Sequence, residues 1–466
     1  MKSELASGRF HVVYILKFLR NGLVLCILPM IRALLRFDLA SLYTALRQDA
    51  LILLAMLCVS ILLWQRGGYR LSPDSLDLHF GFVSWHQRRI PFREVAVVEQ
   101  SRPLWLRLLG ATRITFYSAR TAHFKTTKIY LSRRRAAYLA ETMLPVQPDA
   151  VVFSPSGGER LRFVMLTANA ATSLALLVVS TRQTGELLGK NVELLLNHLA
   201  LDNLTRIEQL VELFLPAGLA WLFTLICMLW GVAIFLSMLA TSGFRVSRSG
   251  GVILARGGCI NHTEQRVLAS AISYCDVRQT PFSRLLRRFP VYLCAGSFSG
   301  GSTPFLIYKR GQEQLLQSLL PSFHMEALDP GPVKDRSWPM YIWKGSLAFG
   351  VSAILASVSA WQLPQITPLM ILPLILGAAL LFFGVEARFY EGAAMQEGGS
   401  IRVCYIRHFT RHELCILTRD LSLTTLQTPF SESIARCNLY INLPCRRWLR
   451  VRGMKSWQVG KLKFDR

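Results

Sequence analysis

Six long apolar runs, arranged as three closely spaced pairs, constrain the fold of this 466-residue chain more than any other feature of its sequence. They cover residues 12–35, 50–64, 163–180, 213–240, 345–361 and 369–385. A helix of about 20 apolar residues crosses the hydrocarbon core of a bilayer, so such runs are typical of membrane helices. The composition agrees, because only 17% of the residues are charged, whereas soluble proteins have about a quarter. The runs therefore predict six transmembrane helices in three pairs.

Two of these regions leave alternatives open. Lys17, Arg20 and Arg32 interrupt the first run, which either spans the membrane with charged side chains reaching its surface or lies in the interface. The connector of residues 181–212 is rich in leucine and carries acidic residues at intervals. This pattern predicts an amphipathic helix on the outer surface of the membrane.

The net charge of +25 has two competing interpretations. Lysine and arginine bind nucleic-acid phosphates, but they also accumulate in the cytoplasmic parts of membrane proteins. The basic residues concentrate in segments 66–162, 242–342 and 386–466, whereas the connectors of residues 36–49 and 180–212 are neutral or acidic. This distribution predicts a multi-pass protein of the bacterial inner membrane with both termini in the cytoplasm. Nucleic acid is not expected as a partner, because no aromatic and basic binding motif is present.

A repeat organises the basic segments. Gln279–Ser283 (Gln-Thr-Pro-Phe-Ser) recurs as Gln427–Ser431, and the same register matches Arg288 with Arg436. A looser copy at Gln100–Gly110 shares the Gln, the Pro and an Arg-Leu-Leu, with small insertions expected around its tryptophan. The runs around each copy are short, rich in β-branched and aromatic residues, and divided by turn residues. They predict the strands of a small β-sandwich or barrel.

These motifs resemble the YdbT-type family of bacterial pleckstrin-homology (PH) domain membrane proteins. The resemblance rests on Gln-x-Pro-x-x-Arg-Leu-Leu at Gln279–Leu286, on Ile90–Val95 (Ile-Pro-Phe-Arg-Glu-Val) and on the opening Phe10–Leu16. It implies three PH-like domains, each following a pair of membrane helices. The third copy departs from the pattern, because Glu432-Ser433-Ile434 replaces Arg-Leu-Leu and no clear closing helix follows it.

The predicted fold class is therefore membrane α-helical plus β, with six transmembrane helices in three pairs, each pair followed by a cytoplasmic PH-like β-sandwich or barrel. The predicted boundaries are 1–66 for the first pair, 67–161 for the first PH-like domain, 162–242 for the second pair with its outer connector, 243–340 for the second PH-like domain, 341–386 for the third pair and 387–466 for the divergent third PH-like domain.

Clusters of arginine in the basic segments are candidate contacts for anionic lipid headgroups. Beside an anionic leaflet, each such charge contributes about 1 kcal/mol of attraction. The alternative is that these charges only set the orientation in the membrane. The candidates are Arg88, Arg89, Arg93, Arg133, Arg134, Arg135, Arg284, Arg287, Arg288, Arg446, Arg447 and Arg450.

No enzyme or cofactor motif is recognisable, and we expect no catalytic, cofactor-binding or metal-binding residues. Cys404, His408 and His412 would share one face of a helix and could bind zinc, but the repeat places them on strands and a turn. The cysteines are expected to be reduced.

The expected function is that of a non-enzymatic membrane protein whose PH-like domains bind lipids or a partner membrane protein, or self-associate, at the inner leaflet. The resemblance implies a role in envelope stress or antimicrobial resistance. The alternative is a component of a membrane lipid-handling or transport complex.

Overall fold

The structure is a computed structural model, and the part of the chain that it describes falls into two units. It describes residues 7–16, 19, 39–80, 86–119, 126–146, 151–167, 209, 217–300, 305–309, 317–321, 323, 338–362, 367–396, 399–407, 409–417, 421–443, 447–457 and 459–460. The first unit comprises residues 1–153, 243–272 and 294–300, and the second comprises residues 154–242, 273–293 and 301–466.

The first unit contains two β-sheets. Its strands are β1 (Ser7–Arg9), β2 (Gly68–Leu71), β3 (Ser75–Phe80), β4 (His86–Pro91), β5 (Val95–Pro103), β6 (Ala111–Ser118), β7 (Thr127–Ser132), β8 (Val151–Phe153), β9 (Arg245–Ser249), β10 (Val252–Gly257) and β11 (Asn261–Leu268). The first four form one sheet in chain order, and the other seven form a sheet with the order β7-β6-β5-β11-β10-β9-β8.

Nearly all of two further sheets lies in the second unit. Their strands are β12 (Ile272–Gln279), β13 (Arg288–Ala295), β14 (Leu306–Lys309), β15 (Gly392–Gln396), β16 (Ser400–Arg407), β17 (Thr410–Leu417), β18 (Ser422–Leu426), β19 (Arg436–Leu443) and β20 (Arg447–Lys455). A six-stranded sheet has the order β14-β13-β12-β17-β16-β15, and β18-β19-β20 form the last sheet.

Helices connect and flank these strands. They are α1 (Leu39–Arg66), α2 (Leu104–Leu108), α3 (Arg133–Met143), α4 (Gly157–Thr167), α5 (Ala217–Ala240), α6 (Pro281–Leu285), α7 (Pro339–Gln362), α8 (Thr367–Tyr390) and α9 (Pro429–Glu432). Two 3-10 turns lie at Phe92–Glu94 and Ala269–Ala271. After β20 the residues Ser456, Trp457, Val459 and Gly460 are helical.

The strands form three repeats of six. In each repeat, three leading strands (β2–β4, β9–β11 and β15–β17) precede three trailing strands (β5–β7, β12–β14 and β18–β20). A short helix, α2, α6 or α9, always follows the first trailing strand. In the first repeat, alternate side chains of the strands point inward, so that Leu76, Leu78, Ile114 and Phe116 are fully buried together with Leu139 of α3.

The repeats align without gaps around the short helices. The strands β6, β13 and β19 each have eight residues, and they begin at Ala111, Arg288 and Arg436. Arg107-Leu108-Leu109 therefore occupies the same place as Arg284-Leu285-Leu286. The insertions expected around Trp105 were wrong, because α2 and α6 are both five residues long. The apparent gap arose from aligning Gln100 with Gln279, which lie at different positions of their strands.

The trailing strands of one repeat and the leading strands of the next lie side by side in one sheet. In the first joint β5 pairs with β11, and in the second joint β12 pairs with β17. Glu99 lies opposite Gln265, and the equivalent Asp276 lies opposite Leu414. Gln265 and Leu414 are both the fifth residues of eight-residue strands, so the two joints have the same antiparallel register. Each joint satisfies backbone groups that would otherwise form an open sheet edge.

A buried arginine strengthens the first joint. The Arg266 guanidinium on β11 donates to Glu264 on its own strand at 3.0 Å, and across the joint to Glu141 at 2.6 Å and to the Leu144 carbonyl at 2.9 Å. Its side chain is only 9% exposed, so these bonds replace the water that burial removes. Arg266 thereby ties the second repeat to the end of α3 in the first.

A buried aspartate strengthens the second joint. The Asp276 carboxylate on β12 lies 3.0 Å from His412 Nδ1 of β17 and accepts a bond from Arg278 Nε at 2.9 Å. Burial alone would raise the pKa of Asp276, but the contacts with His412 and Arg278 outweigh it and hold the pKa below its ordinary value. The His412 ring also stacks on Tyr405, with ring centres 4.7 Å apart.

The prediction of six transmembrane helices in three pairs was wrong. Within the described ranges, two helices are long and apolar enough to cross a membrane, Tyr341–Gln362 and Pro373–Tyr390. The apolar parts of α1 and α5 that the structure describes in full, Ala50–Arg66 and Cys227–Ala240, are shorter, and about 20 residues are needed to cross the core. Most of the first and third runs, and nearly all of the connector of residues 181–212, lie outside the described residues.

Two physical features explain the difference. The apolar part of α1 begins at Ala50, after the charged residues Arg47 and Asp49, so the long helix contains only a short apolar stretch. The start of the third run belongs to α4, where Phe163 and Val164 are 3% and 0% exposed. An apolar run in sequence does not distinguish a side chain that faces lipid from one that packs inside the protein.

Helices α7 and α8, which correspond to the third predicted pair, pack closely against each other at glycine positions. A Cβ atom at Gly345 would lie 2.6 Å from the Leu381 backbone, and one at Gly384 would lie 2.7 Å from the Tyr341 carbonyl. Small residues at such contacts are typical of membrane helices, because they allow the backbones to approach.

Equivalent residues after the three short helices adopt the left-handed conformation, with φ of 67° at Gly110, 51° at Arg287 and 52° at Ala435. We predict that Ala435→Gly stabilises the protein by about 0.5–1 kcal/mol, because it removes the strain of a side chain in this conformation. Thermal unfolding in detergent measures the effect. The matched change Gly110→Ala, where a Cβ has open space, should destabilise by about 1 kcal/mol; unchanged melting of both variants would contradict the strain argument.

The second joint should depend on pH through Asp276. Its pKa is lower in the folded protein than the ordinary 3.8, so its contribution to stability is present above that value and is lost as the pH falls through the folded pKa. We predict that Asp276→Asn lowers the free energy of unfolding at pH 7 by about 2 kcal/mol and flattens the loss of stability below about pH 4. Denaturant unfolding at several pH values measures both.

Asp77→Asn is the matched control for this change. Asp77 also lies on a strand and its side chain is 15% exposed, but its partner Arg89 is 71% exposed at a distance of 3.8 Å, and an ion pair with a solvent-exposed partner contributes about 0–1 kcal/mol. Equal effects of the two substitutions would mean that the buried pair does not stabilise the joint.

Candidate membrane-contact surface

The short helix α2 exposes most of its large apolar side chains. Its Leu106 is fully buried, against Val13 and Ala111, whereas four neighbours point outward. The exposed fractions are 52% for Leu104, 49% for Trp105, 88% for Leu108 and 47% for Leu109. Burying such a side chain contributes about 1.5–3 kcal/mol, so a continuous exposed patch of this kind indicates a contact surface.

Arginines lie close to this patch in the chain, at Arg102 before α2 and at Arg107 within it. The Arg107 Nε donates to the Arg102 carbonyl at 3.1 Å. Burial lowers the pKa of the Arg102 guanidinium, and the positive charges of Arg133 and Arg107 lower it further, whereas the Glu264 carboxylate acts in the opposite direction. The pKa of His262 on β11 is lowered by burial and then by Arg102. Arg107 and Arg133 thus both lie close enough to Arg102 to disfavour its charge, and an anion beside the three side chains would offset this effect. We call Leu104, Trp105, Leu108 and Leu109, with Arg102, Arg107 and Arg133, the α2 surface.

The α2 surface lies beside the start of the first apolar run. Residues 13–16 are helical, and Val13 packs on Leu106 of α2. The neighbouring side chains of Val12 and Leu16 are 55% and 49% exposed. Apolar side chains of α2 and of the run therefore lie next to each other.

The equivalent helix α6 lies beside a helix of membrane-spanning length. Arg284 of α6 forms an ion pair with Glu386 in the last turns of α8, and Arg411 of β17 pairs with the same carboxylate. Next to this contact, Leu285 and Leu286 are 79% and 41% exposed. The second repeat thus repeats the exposed apolar tip at the end of α8.

The third repeat lacks the charged part of this arrangement. Ile434 after α9 is 51% exposed, but Glu432 and Ser433 occupy the positions of Arg284 and Leu285. The substitution of an acid for the arginine makes this tip unsuited to an anionic surface.

The predicted headgroup arginines of the first repeat lie at two places. Arg88 and Arg89 lie on β4, where Arg88 donates to the Thr127 hydroxyl at 2.9 Å and Arg89 to the Ser75 hydroxyl at 3.0 Å, and Arg93 lies exposed in the following 3-10 turn. Arg133, Arg134 and Arg135 form the first turn of α3. Arg133 is the candidate that the structure brings to the α2 surface.

Several of the other candidates already have partners. Arg284 pairs with Glu386, and Arg288 pairs with Glu159 at 3.2 Å, so we leave both out of the proposed surface. Arg287 is exposed after α6, and Arg450 is exposed on β20. Arg447 begins β20, and Arg446 lies outside the described residues.

The structure describes two of the three residues that were considered as zinc ligands. Cys404 lies on β16 and is buried, whereas His412 lies on β17 and contacts Asp276. His408 lies outside the described residues. Within the described ranges there is no group of three metal-ligating side chains.

Sequence reasoning did not identify the apolar part of the α2 surface. The available signal was Leu-Trp-Leu-Arg-Leu-Leu at residues 104–109, an apolar run at a place where the repeat requires a connection between strands. Connections are usually polar, so an apolar run there indicates a contact surface. Arg102 and Arg107 were missed because each stands alone in the sequence, whereas the predicted headgroup contacts were clusters of arginine.

Comparison with known proteins supports the assignment of the first repeat. Residues 23–146 match the family described as bacterial PH domain, a range that includes α1, β2–β7, α2 and α3. No curated protein and no solved structure matched the chain. The finer resemblance to the YdbT-type family is not confirmed. The chain therefore contains a bacterial PH domain, which indicates a membrane- or lipid-associated role in general, and its two long apolar helices are consistent with membrane association.

Proposed function

We propose that this chain is a non-enzymatic protein of the bacterial inner membrane. Its PH-like repeats bind the inner leaflet through exposed apolar residues at the short helices. The observation that carries the proposal is the α2 surface, where four exposed apolar side chains lie among three arginines next to an apolar run. In this arrangement, α7 and α8 anchor the chain, and the sheets and both termini lie in the cytoplasm. A role in envelope stress would depend on this attachment.

The apolar tip supplies the first component of binding. Leu108 and Trp105 can enter the boundary between headgroups and acyl chains, where an indole ring is favourable because it has both an apolar body and a polar N–H. Because Leu106 anchors the tip on Val13 and Ala111, the tip is held rigidly, and little conformational entropy is lost on insertion.

The arginines supply the second component. A positive charge close to an anionic leaflet contributes about 1 kcal/mol, and a lipid phosphate would also offset the repulsion that Arg107 and Arg133 exert on Arg102. The same tip at α6 carries Leu285, Leu286 and the exposed Arg287.

Trp105 reports insertion directly. In nanodiscs that contain lipids brominated on their acyl chains, we predict strong quenching of the Trp105 fluorescence, obtained as the difference between the native chain and Trp105→Phe. Leu108→Asp should abolish this quenching, because it places a charge at the most exposed apolar position of the tip.

Ile434→Asp is the control, since it adds the same charge to the equivalent region of the third repeat, and it should leave Trp105 quenching unchanged. If the native Trp105 is not quenched, the tip does not contact lipid and the proposed function is wrong.

The dependence on anionic lipid should come from the three arginines. We predict that replacing Arg102, Arg107 and Arg133 together with glutamine removes about 1 kcal/mol of attraction per charge. The variant should therefore require a higher fraction of phosphatidylglycerol for the same Trp105 quenching. Replacing the exposed Arg88, Arg93 and Arg256 removes the same net charge, so equal shifts for the two variants would show that only the overall charge matters.

A further inference from the structure

Two strands at the ends of the repeat series have an open side. The strand β4 lies at the end of the first sheet, and β18 lies at the end of the last one. In the part of the chain that the structure describes, β4 pairs with β3 and β18 pairs with β19, and neither has a second neighbouring strand.

These two strands are the counterparts of the strands that form the internal joints. The strand β4 ends at Pro91, directly before the turn Phe92–Glu94, as β11 ends at Leu268 before Ala269–Ala271. The strand β18 is followed by Gln-Thr and α9, as β12 is followed by Thr280 and α6. Among the described residues, the leading strands of the first repeat thus have an unpaired edge at β4, and the trailing strands of the last repeat have an unpaired edge at β18.

We infer that β18 of one copy of this chain pairs with β4 of a second copy, head to tail, in the register of the two internal joints. In the second joint, Cys275 lies opposite Cys415, and in the first joint Val98 lies opposite Arg266. The equivalent residues at the open edges are Leu423 of β18 and Arg89 of β4. Leu423 of one copy therefore faces Arg89 of the next.

The composition of the two edges favours this pairing. Exposed edge strands usually carry charges, proline or a bulge that prevents association, but β18 has the sequence Ser-Leu-Thr-Thr-Leu and is largely exposed. In β4, the exposed Arg88 and Arg89 oppose pairing of two β4 strands with each other, because like charges would face each other. An uncharged β18 has no such conflict with β4.

One residue shows how the open edge differs from the closed joints. Thr424 occupies the position of Glu99 and Asp276. By the same register it would face Arg88 of the second copy. An internal joint between fixed repeats carries an acid here, whereas the neutral residue at the open edge makes the contact between copies weaker and reversible.

Engineered cysteines test the pairing. One tagged full-length chain carries Leu423→Cys and a differently tagged chain carries Arg89→Cys, both with serine at Cys26, Cys58, Cys227, Cys259 and Cys445. The two chains are co-expressed, and their membranes are oxidised and separated on a non-reducing gel. The pairing predicts a disulfide-linked heterodimer at least roughly tenfold above that of Leu423→Cys with Arg88→Cys, because neighbouring residues of a strand point to opposite faces.

Two further variants check the register by charge. Combined with the cysteine pair, Thr424→Glu should increase the heterodimer and Thr424→Lys should decrease it, each roughly two- to fivefold, since cross-strand charge pairs act in this range. Both variants change an exposed side chain, and the monomer peak in size-exclusion chromatography confirms that they fold.

Three results would overturn the inference. These are the absence of the heterodimer, equal cross-linking of the register-shifted pair, and a dimer of Leu423→Cys with itself in place of the heterodimer. The last result would mean that β18 pairs with β18. If Leu423→Cys formed a disulfide with a different protein and no heterodimer appeared, the partner of β18 would not be a second copy of this chain.

Discussion

The structure depends on backbone hydrogen bonding at sheet edges. A strand edge cannot be left buried without partners, and an exposed edge invites association. In this chain, the trailing strands of one repeat solve the problem by pairing with the leading strands of the next, as β5 does with β11 and β12 with β17. The sheets therefore cross the predicted boundaries between 67–161, 243–340 and 387–466. A stability model for the chain should include these joints as nearest-neighbour interactions between repeats.

Buried charges fix the joints and their connection to the long apolar helices. Arg266 and Asp276 are satisfied across the joints, as a low-dielectric interior requires. At the end of α8, Glu391 binds Arg452 at 2.6 Å, and the Tyr341 hydroxyl of α7 donates to the Arg452 carbonyl at 2.7 Å. The last repeat is thus attached to both helices of the hairpin by specific bonds, and a movement of α7 against α8 would be transmitted to β20.

The repeat itself could be predicted from the sequence, but the pairing of strands between repeats and the exposure of side chains could not. Alternating apolar residues and the Gln-Thr-Pro-Phe-Ser motif predicted strands around each copy of the repeat, because both are local properties of the sequence. The pairing of Glu99 with Gln265 joins residues far apart in the chain, and no local pattern encodes it. Exposure was equally unpredictable: Leu108 and Leu106 lie in one short apolar run, but one is 88% exposed and the other is buried. The number of membrane helices was overestimated for the same reason, since Phe163 and Val164 pack inside the protein.

Hydrogen–deuterium exchange of the full chain in nanodiscs tests the shared sheets most directly. If the joints exist, the amides of β5, β11, β12 and β17 lie in the centres of sheets and exchange as slowly as those of β6 and β16. They should then exchange much more slowly than those of the edge strands β8, β14 and β15. Exchange of β11 and β17 at the rate of these edge strands would show that the repeats are separate domains and would contradict the architecture described above.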